Sequence, residues 1–337
     1  MQLLVSCDYL ISPANCSHSD LASCIESLIF IKRDLESGSP QVIIEDNSLT
    51  KLDNMGCFPC ASIFNYNLQG FEEFEFSGRD IARTVNNILS MEPMEQNRLP
   101  ECVAEWKDRS VTPLLMGSTE ERTGVICSLL EEISLAKRFF EKNYSILHHP
   151  VDSTQHQIAI KGAIESFLPE TADNFPLDLH ETFSIYTAYK TFASNLDGFS
   201  LYQKANTEYE YKSAFFVGTM VILCNRGMEL SSLKWENFSL GNHFLKSLSE
   251  NQCISDHNFS HVCFDVICHM LAGVPKYDCD PFYTGTNRTE QRTKDGKLAW
   301  RTHITKGNPA LRLMYWTEKS GEIELANVGK KNDLLIC

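Results

Sequence analysis

The chain has 337 residues, more than one ordinary hydrophobic core supports, so we expect two or three domains. Hydrophobic residues make up 43% of the chain and charged residues 22%, a balance that excludes wholesale disorder and a fibrous repeat. The net charge of -14 excludes a protein that coats nucleic acid over its whole surface, because such a field repels phosphate.

The start of the chain does not resemble a secretory signal peptide. It has no basic leader, and Asp8 lies inside its only apolar run. The most apolar continuous stretch, residues 215–224, would as a helix span only about half of a bilayer core. We therefore expect a cytoplasmic protein that makes no membrane contact.

Residues 1–115 are predicted to form a mixed α/β domain that ends in a linker. Short apolar runs at 2–5 and 41–44 predict strands, and Asp20 begins a predicted helix. Ser77 followed by Asp80 has the spacing of a capping box at the start of a second helix. The linker is indicated by a polar stretch that three prolines interrupt: Pro93, Pro100 and Pro113.

Residues 116–257 are predicted to form a mainly helical region. Apolar residues recur at helical spacing from 124 to 142. Three further segments are interpreted as helices: 157–167, 183–192 and 212–224. The pair His148-His149 follows the predicted helix at 124–142. The helix dipole favours cationic histidine at a helix end, which explains the pair without a function.

Residues 258–337 are predicted to form a helix followed by an antiparallel sheet. Asn258 begins the helix, and Gly273 and Pro275 end it. Three strands follow, at 298–304, 311–317 and 323–328. The period of two places Arg301 and His303 on one face of the first strand. In the second strand, Arg312 lies on the same face as Met314 and Trp316. The predicted fold class is therefore α+β and multidomain.

The C-terminal part is also the one place where the charge favours an anionic partner. Residues 285–337 contain ten Lys and Arg against six Asp and Glu, which leaves -18 for the first 284 residues. We expect an anionic partner to bind the basic sheet, and a protein partner to bind the acidic remainder.

Two short motifs in these strands carry a resemblance to a known family. One is Arg312-Leu313-Met314-Tyr315, and the other is Val328-Gly329-Lys330-Lys331 at the end of the last strand. With the preceding helix, residues 258–337 resemble the RelE/ParE-type toxin fold. The resemblance implies a role in toxin-antitoxin systems or phage defence. The RelE branch cleaves messenger RNA in the ribosome, and the ParE branch poisons DNA gyrase. The resemblance thus implies RNA or the ribosome as the partner of the basic sheet.

The ribonuclease branch of that family implies specific roles for residues of this chain. His303, Arg312 and Lys331 correspond to a catalytic set, and Arg301, Lys306 and Lys330 to nucleic-acid contacts. Cleavage of RNA through its own 2′-OH requires proton transfer, which a histidine can provide, and cations that stabilise phosphate charge. The family often has a tyrosine beyond the last strand. Here residues 333–337 contain none, so the sequence leaves open whether the protein is an enzyme.

Two other interpretations remain open. The protein could be a non-catalytic scaffold subunit of a larger defence complex, or an enzyme whose site is built from scattered Asp and Glu of the N-terminal region. Cys57-Phe58-Pro59-Cys60 has the spacing of half a zinc site, but no second C-x-x-C motif occurs in the chain. We therefore predict neither a metal nor another cofactor.

Overall fold

The computed structural model describes residues 2–38, 41–69, 76–91, 98–113, 119–149, 156–171, 173–284, 290–333 and 335–336, and the statements below concern these ranges. The chain divides into two compact units, Met1–Phe192 and Ala193–Cys337. Each unit combines helices with a mixed β-sheet, which confirms the predicted α+β class.

The first unit contains six described strands and eight described helices, the last of which reaches the unit boundary. The strands are β1 (Gln2–Val5), β2 (Val42–Ile44), β3 (Val103–Thr112), β4 (Tyr144–Leu147), β5 (Gln157–Leu168) and β6 (Leu177–Tyr186). The helices are α1 (Cys7–Leu10), α2 (Ser12–Asn15), α3 (Leu21–Glu36), α4 (Ser48–Asn54), α5 (Ala61–Leu68), α6 (Gly78–Ser90), α7 (Glu120–Phe140) and α8 (Tyr189–Ala193).

The sheet of the first unit has the strand order β2-β1-β4-β6-β5-β3. The first four strands are parallel to one another, and β5 and β3 are antiparallel to their neighbours. Consecutive Leu3 and Leu4 of β1 are both fully buried, as expected for a parallel strand covered on both faces. Leu129 and Ile133 of α7 belong to the same core cluster as Leu4.

The predicted capping box at the start of α6 is confirmed. The Ser77 Oγ accepts a hydrogen bond from the backbone N–H of Asp80 at 3.3 Å. In return, the Asp80 carboxylate accepts one from the backbone N–H of Ser77 at 3.0 Å. These bonds satisfy two N–H groups that would otherwise have no partner at the helix start.

The predicted helices at 157–167 and 183–192 are wrong over most of their length. Residues 157–168 form β5, and residues up to 186 belong to β6; only 189–193 are helical. The predicted linker also contains a strand, since β3 pairs along its length with β5, while residues 93–97 lie outside the described ranges. The spacing of the apolar residues in β5 fits both the helical period and the strand period. Pairing with other strands decides for the strand.

The unit boundary at 192/193 does not coincide with the predicted boundaries at 115/116 and 257/258. The pairing of β3 with β5 and of β4 with β1 joins residues 116–192 to the first unit.

The second unit contains six described strands, α9 to α12 and two short 3₁₀ helices. The strands are β7 (Phe238–Leu240), β8 (Cys279–Pro281), β9 (Thr293–Lys294), β10 (Lys297–His303), β11 (Leu311–Thr317) and β12 (Ile323–Lys330). The helices are α9 (Gly198–Lys204), α10 (Glu208–Asn225), α11 (Phe244–Glu250) and α12 (Ser260–Leu271), with 3₁₀ turns at Leu230–Ser232 and Trp235–Asn237.

The sheet of the second unit has the order β7-β12-β11-β10-β8, with β9 paired to β10. The predicted meander of β10, β11 and β12 is confirmed and is antiparallel. The predicted helix after residue 258 is confirmed as α12, although Phe259 rather than Asn258 precedes its first turn. Gly273 follows that helix with φ of 72°, a conformation that glycine adopts without steric cost.

The helices of the second unit approach one another closely at two glycines. A Cβ atom added to Gly198 would lie 2.8 Å from the backbone nitrogen of Gly218. One added to Gly218 would collide with the Phe264 ring and lie 2.7 Å from the Cys268 Sγ. Gly218 therefore allows α9 and α12 to pack against α10 at this short distance.

We predict that Gly218→Ala destabilises the second unit by about 1–3 kcal/mol, because overpacking outweighs the gain in helix propensity. Gly124→Ala in α7 is the matched control, since nothing lies within 4 Å of a Cβ atom added there and the residue is exposed. That change should stabilise the first unit by about 0.5–1 kcal/mol. Denaturant unfolding of the full chain measures both effects, and changes of the same sign would contradict this packing.

Candidate nucleic-acid interface

The pairing of β10 with β11 brings three of the predicted site residues together. His303 lies directly opposite Arg312, and Arg301 lies opposite Met314, two positions along the same strands. Because side chains alternate between the faces of a strand, Arg301, His303 and Arg312 are on one side of the sheet. We call this side the basic face.

A small apolar cluster covers part of the basic face. It consists of five buried residues, against which Ile336 packs: Phe282, Ala299, Met314, Trp316 and Ala326. The guanidinium carbon of Arg301 lies 5.5 Å from the centroid of the Phe282 ring, and that of Arg292 lies 4.7 Å from the same centroid. These cation–π contacts hold the Arg301 side chain along the sheet rather than extended into solvent.

Arg312 carries its charge in a partly buried position. Its Nε and Nη1 atoms are shielded from solvent and have no hydrogen-bond partner within the described part of the chain. Burial lowers the pKa of the Arg312 guanidinium, the charge of Arg301 lowers it further, and Asp280 raises it. A guanidinium nevertheless stays protonated, so these two N–H groups are stabilised by any acceptor that enters the site.

His303 is placed to act as a proton acceptor. Burial is the largest cause that lowers the pKa of its imidazole from 6.5, and the charge of Arg312 adds to it. Its Nδ1 atom is shielded from solvent, and no described residue forms a hydrogen bond with it. The imidazole is therefore neutral at pH 7, which is the state that a general base requires.

Two residues near His303, Tyr277 and Asp280, were not predicted from the sequence. The Tyr277 ring centroid lies 6.0 Å from that of His303, and the Lys306 Nζ lies 4.7 Å from the Tyr277 centroid. Asp280 of β8 pairs directly with Arg301. The sequence has little signal for either residue, because β8 is only three residues long and ends in Pro281.

Lys330, the last residue of β12, and Lys331 lie at the same end of the sheet as His303. Lys330 and Lys331 are exposed, and the backbone N–H of Lys331 donates to the Ala310 carbonyl at 2.8 Å. Gly329 lies opposite Arg312, and a Cβ atom there would lie 2.7 Å from an Asp333 carboxylate oxygen. A side chain at Gly329 would therefore require the Asp333 and Met314 side chains to move.

Of the final residues, the described Leu335 and Ile336 have no acidic or basic side chain. Ile336 packs against the apolar cluster, and the Leu335 carbonyl accepts a hydrogen bond from the Asn327 side chain at 3.3 Å. The phenol beside His303 is instead that of Tyr277, which precedes the strands rather than following them.

The two thiols of the Cys57-Phe58-Pro59-Cys60 motif do not share a partner. The Cys57 Sγ lies 3.6 Å from a guanidinium nitrogen of Arg122, while the Cys60 Sγ lies 3.0 Å from the Ser62 hydroxyl, so the two thiols have separate partners. Among the residues placed by the structure, no three His, Cys, Asp or Glu side chains are grouped to hold a metal ion. No helix in the described ranges has the length and hydropathy needed to span a bilayer.

Comparisons of the chain with protein-family models, with curated proteins and with solved structures found no match. The RelE/ParE-type resemblance of residues 258–337 therefore stays a prediction from the sequence.

We predict opposite shifts of the His303 pKa in two charge variants. Arg312→Met removes a positive charge that lowers this pKa, so the pKa should rise toward 6.5 and the imidazole should be more protonated at pH 6. Asp280→Asn removes a negative charge that raises it, so the pKa should fall further. NMR titration of the imidazole Cε1 proton, assigned with His303→Gln, measures both values. Shifts in one common direction would contradict the described charge arrangement.

Proposed function

We propose that the second unit binds RNA through the basic face. The observation that carries this proposal is the Arg312 guanidinium, two of whose nitrogens are buried and have no hydrogen-bond partner among the described residues. A phosphodiester supplies a negative charge and two oxygen acceptors, which match the planar fork of an arginine. Arg301 and Lys306 extend the positive charge along the same face.

The charge distribution of the chain favours this face over other surfaces. Residues 1–192 contain 14 Lys and Arg against 28 Asp and Glu, whereas residues 193–337 contain 16 of each. The whole net charge of the protein therefore belongs to the first unit, and a polyanion is repelled there. Within the second unit, the segment 285–337 has an excess of four positive charges.

The resemblance to RelE extends the proposal from binding to cleavage. His303 would take the proton of a ribose 2′-OH, whose oxygen then attacks the adjacent phosphorus. Arg312 and Lys331 would stabilise the charge that develops on the phosphate, and Tyr277 would donate a proton to the departing 5′-oxygen. The products are a 2′,3′-cyclic phosphate and a free 5′-hydroxyl. In this proposal the protein acts in a toxin-antitoxin or phage-defence system in the cytoplasm.

A non-catalytic scaffold role is the second candidate, and an observation in the first unit supports it. Val103 and Leu168 are 67% and 62% exposed, and they pair directly across β3 and β5. Strand β3 lies at the edge of its sheet, so this apolar pair is available to a protein partner. The basic face would then dock an anionic component of a larger defence complex without cutting it.

We predict that Arg312→Met weakens RNA binding by about tenfold or more, because a charge-assisted hydrogen bond is lost. Arg312→Lys should recover only part of the affinity, since lysine keeps the charge but not the fork. Fluorescence anisotropy with a labelled single-stranded RNA and the full chain, at several salt concentrations, measures both. Lys319→Met, which removes one exposed charge in the β11–β12 loop, is the control and should bind as the wild type does. Equal affinities for Arg312→Met and Lys319→Met would refute the proposed contact.

We predict that His303→Gln lowers the rate of RNA cleavage about 100-fold or more and leaves binding nearly unchanged, because it removes the proton acceptor. An RNA with a single 2′-deoxy residue at the cleavage site should resist the wild-type protein. His243→Gln, a change at an exposed histidine of the same unit, is the control. Gel analysis of 5′-labelled RNA, with and without ribosomes, gives the rates. A wild type that binds RNA but leaves it intact in both assays would favour the scaffold role.

A further inference from the structure

A cleft opens beside the apolar cluster, at the end of the basic face away from Arg312. Its volume is about 350 Å³, which lies within the range of small-ligand sites. The segment 290–294 lines it together with Trp316 and Ile336 of the apolar cluster. Thr293 and Lys294, the two residues of β9, are both exposed, so this cleft is open to a ligand from solvent.

The cleft and Arg312 share one face of the sheet. Trp316 follows Arg312 by four residues on β11, so the two side chains are on the same side. Lys294 pairs with Lys297 of β10, which lies on the same side of that strand as Arg301. At about 3.3 Å per residue, the positions of Trp316 and Arg312 are roughly 13 Å apart along the strand. One extended polymer can therefore contact both.

Two cations of the cleft lie over aromatic rings. The Lys294 Nζ lies 5.9 Å from the centroid of the Trp316 ring. The Arg292 guanidinium lies over the Phe282 ring, and its Nε donates to the Tyr283 carbonyl at 3.2 Å. These contacts hold the two side chains without neutralising their charge, so both still attract an anion.

A neighbouring lysine shows what compensation of such a charge looks like. Lys297, the ladder partner of Lys294, contacts Glu318 at 2.9 Å and Glu324 at 2.8 Å. Its charge is therefore balanced within the unit. Of the described residues that line the cleft, Glu290 is acidic and two are basic. The cleft thus has an excess of one positive charge, which favours an anionic ligand.

The uncharged atoms of the cleft suit a nucleoside. The Gln291 Nε2 donates to the Ala299 carbonyl at 2.7 Å, which fixes the amide and leaves its oxygen as an acceptor. Ile336 and the small accessible part of Trp316, which is 3% exposed, provide apolar surface. A nucleotide combines a phosphate, sugar hydroxyls and a base with apolar faces, so each part of the cleft has a matching group.

We propose that the cleft binds a second nucleotide of the RNA whose phosphate Arg312 contacts, with Lys294 and Arg292 on its phosphate and Gln291 and Ile336 beside the nucleoside. This inference rests on the RNA binding proposed above. An extended strand needs about two nucleotides beyond the one at Arg312 to cover roughly 13 Å. The second unit therefore recognises an oligonucleotide rather than a single phosphodiester.

The test compares two lengths of RNA. 2′-Fluoro oligouridylates of two and of five nucleotides lack the 2′-OH needed for cleavage, and only the longer one reaches both Arg312 and the cleft. Isothermal titration of the full chain measures their affinities, with inorganic phosphate as the third probe. We expect the wild type to bind the longer RNA about tenfold or more tightly than the shorter one, and phosphate more weakly than either.

Two variants locate the additional contact. Lys294→Met should weaken binding of the longer RNA about fivefold and lower the slope of log Kd against log salt by about 0.7, because one phosphate contact is lost. Glu290→Gln should strengthen binding of the longer RNA, because it removes a negative charge from the cleft. Neither change should alter binding of the shorter RNA. Lys319→Met is the matched control, and all three positions are exposed, so each variant should fold.

The outcomes separate this inference from the function on which it rests. Equal affinities of the wild type for the two RNAs would overturn the second nucleotide site. So would a Lys294→Met variant that binds the longer RNA as the wild type does, or that loses affinity for both RNAs alike. In these cases RNA still binds and Arg312→Met still weakens it, so the proposed function stands. A wild type that binds neither RNA, or that binds phosphate more tightly than RNA, refutes both.

Discussion

The register between β10 and β11 is the constraint on which the basic face depends. Leu311 and Leu313 are buried on one face of β11, and Arg312 lies between them on the other. A slip by one residue would exchange the two faces of the strand and place the guanidinium among the leucines. The cost of burying that charge in an apolar core fixes the register, and the register sets His303 opposite Arg312. The packing of Leu311 and Leu313 thus determines where Arg312 and His303 lie.

The sheet of the second unit could be predicted because its signals are local. Strand 311–317 begins with the alternation Leu311-Arg312-Leu313, and the loop to β12 contains Gly321, whose φ is 94°. The capping box of Ser77 and Asp80 spans only three positions. In each case the interaction that selects the structure lies within a few residues of sequence, so the pattern alone indicates the element.

Non-local pairing explains what could not be predicted. Residues 157–168 became a strand because β3 and β6 flank them, and no short-range pattern records those partners. The same holds for the ends of β1 and β4, where Ser6 and His148 are 142 positions apart and meet only through the pairing of these strands. His148 and His149 were predicted to follow a helix directly. That helix, α7, was predicted correctly, but the four-residue strand β4 between α7 and His148 was not. Short strands carry too few residues to show a period.

Asp8 in the first unit and Arg312 in the second are buried or partly buried charges, and they differ in how the cost of that burial can be relieved. Burial raises the pKa of Asp8 to about 6, against the opposing charge of Arg122, so a proton from solvent can neutralise this carboxyl under mildly acidic conditions. Arg312 has no such route, because a guanidinium does not lose its proton in the accessible pH range. Its buried N–H groups are satisfied only by a hydrogen-bond acceptor. This is why the ligand that we propose for the basic face is an anion.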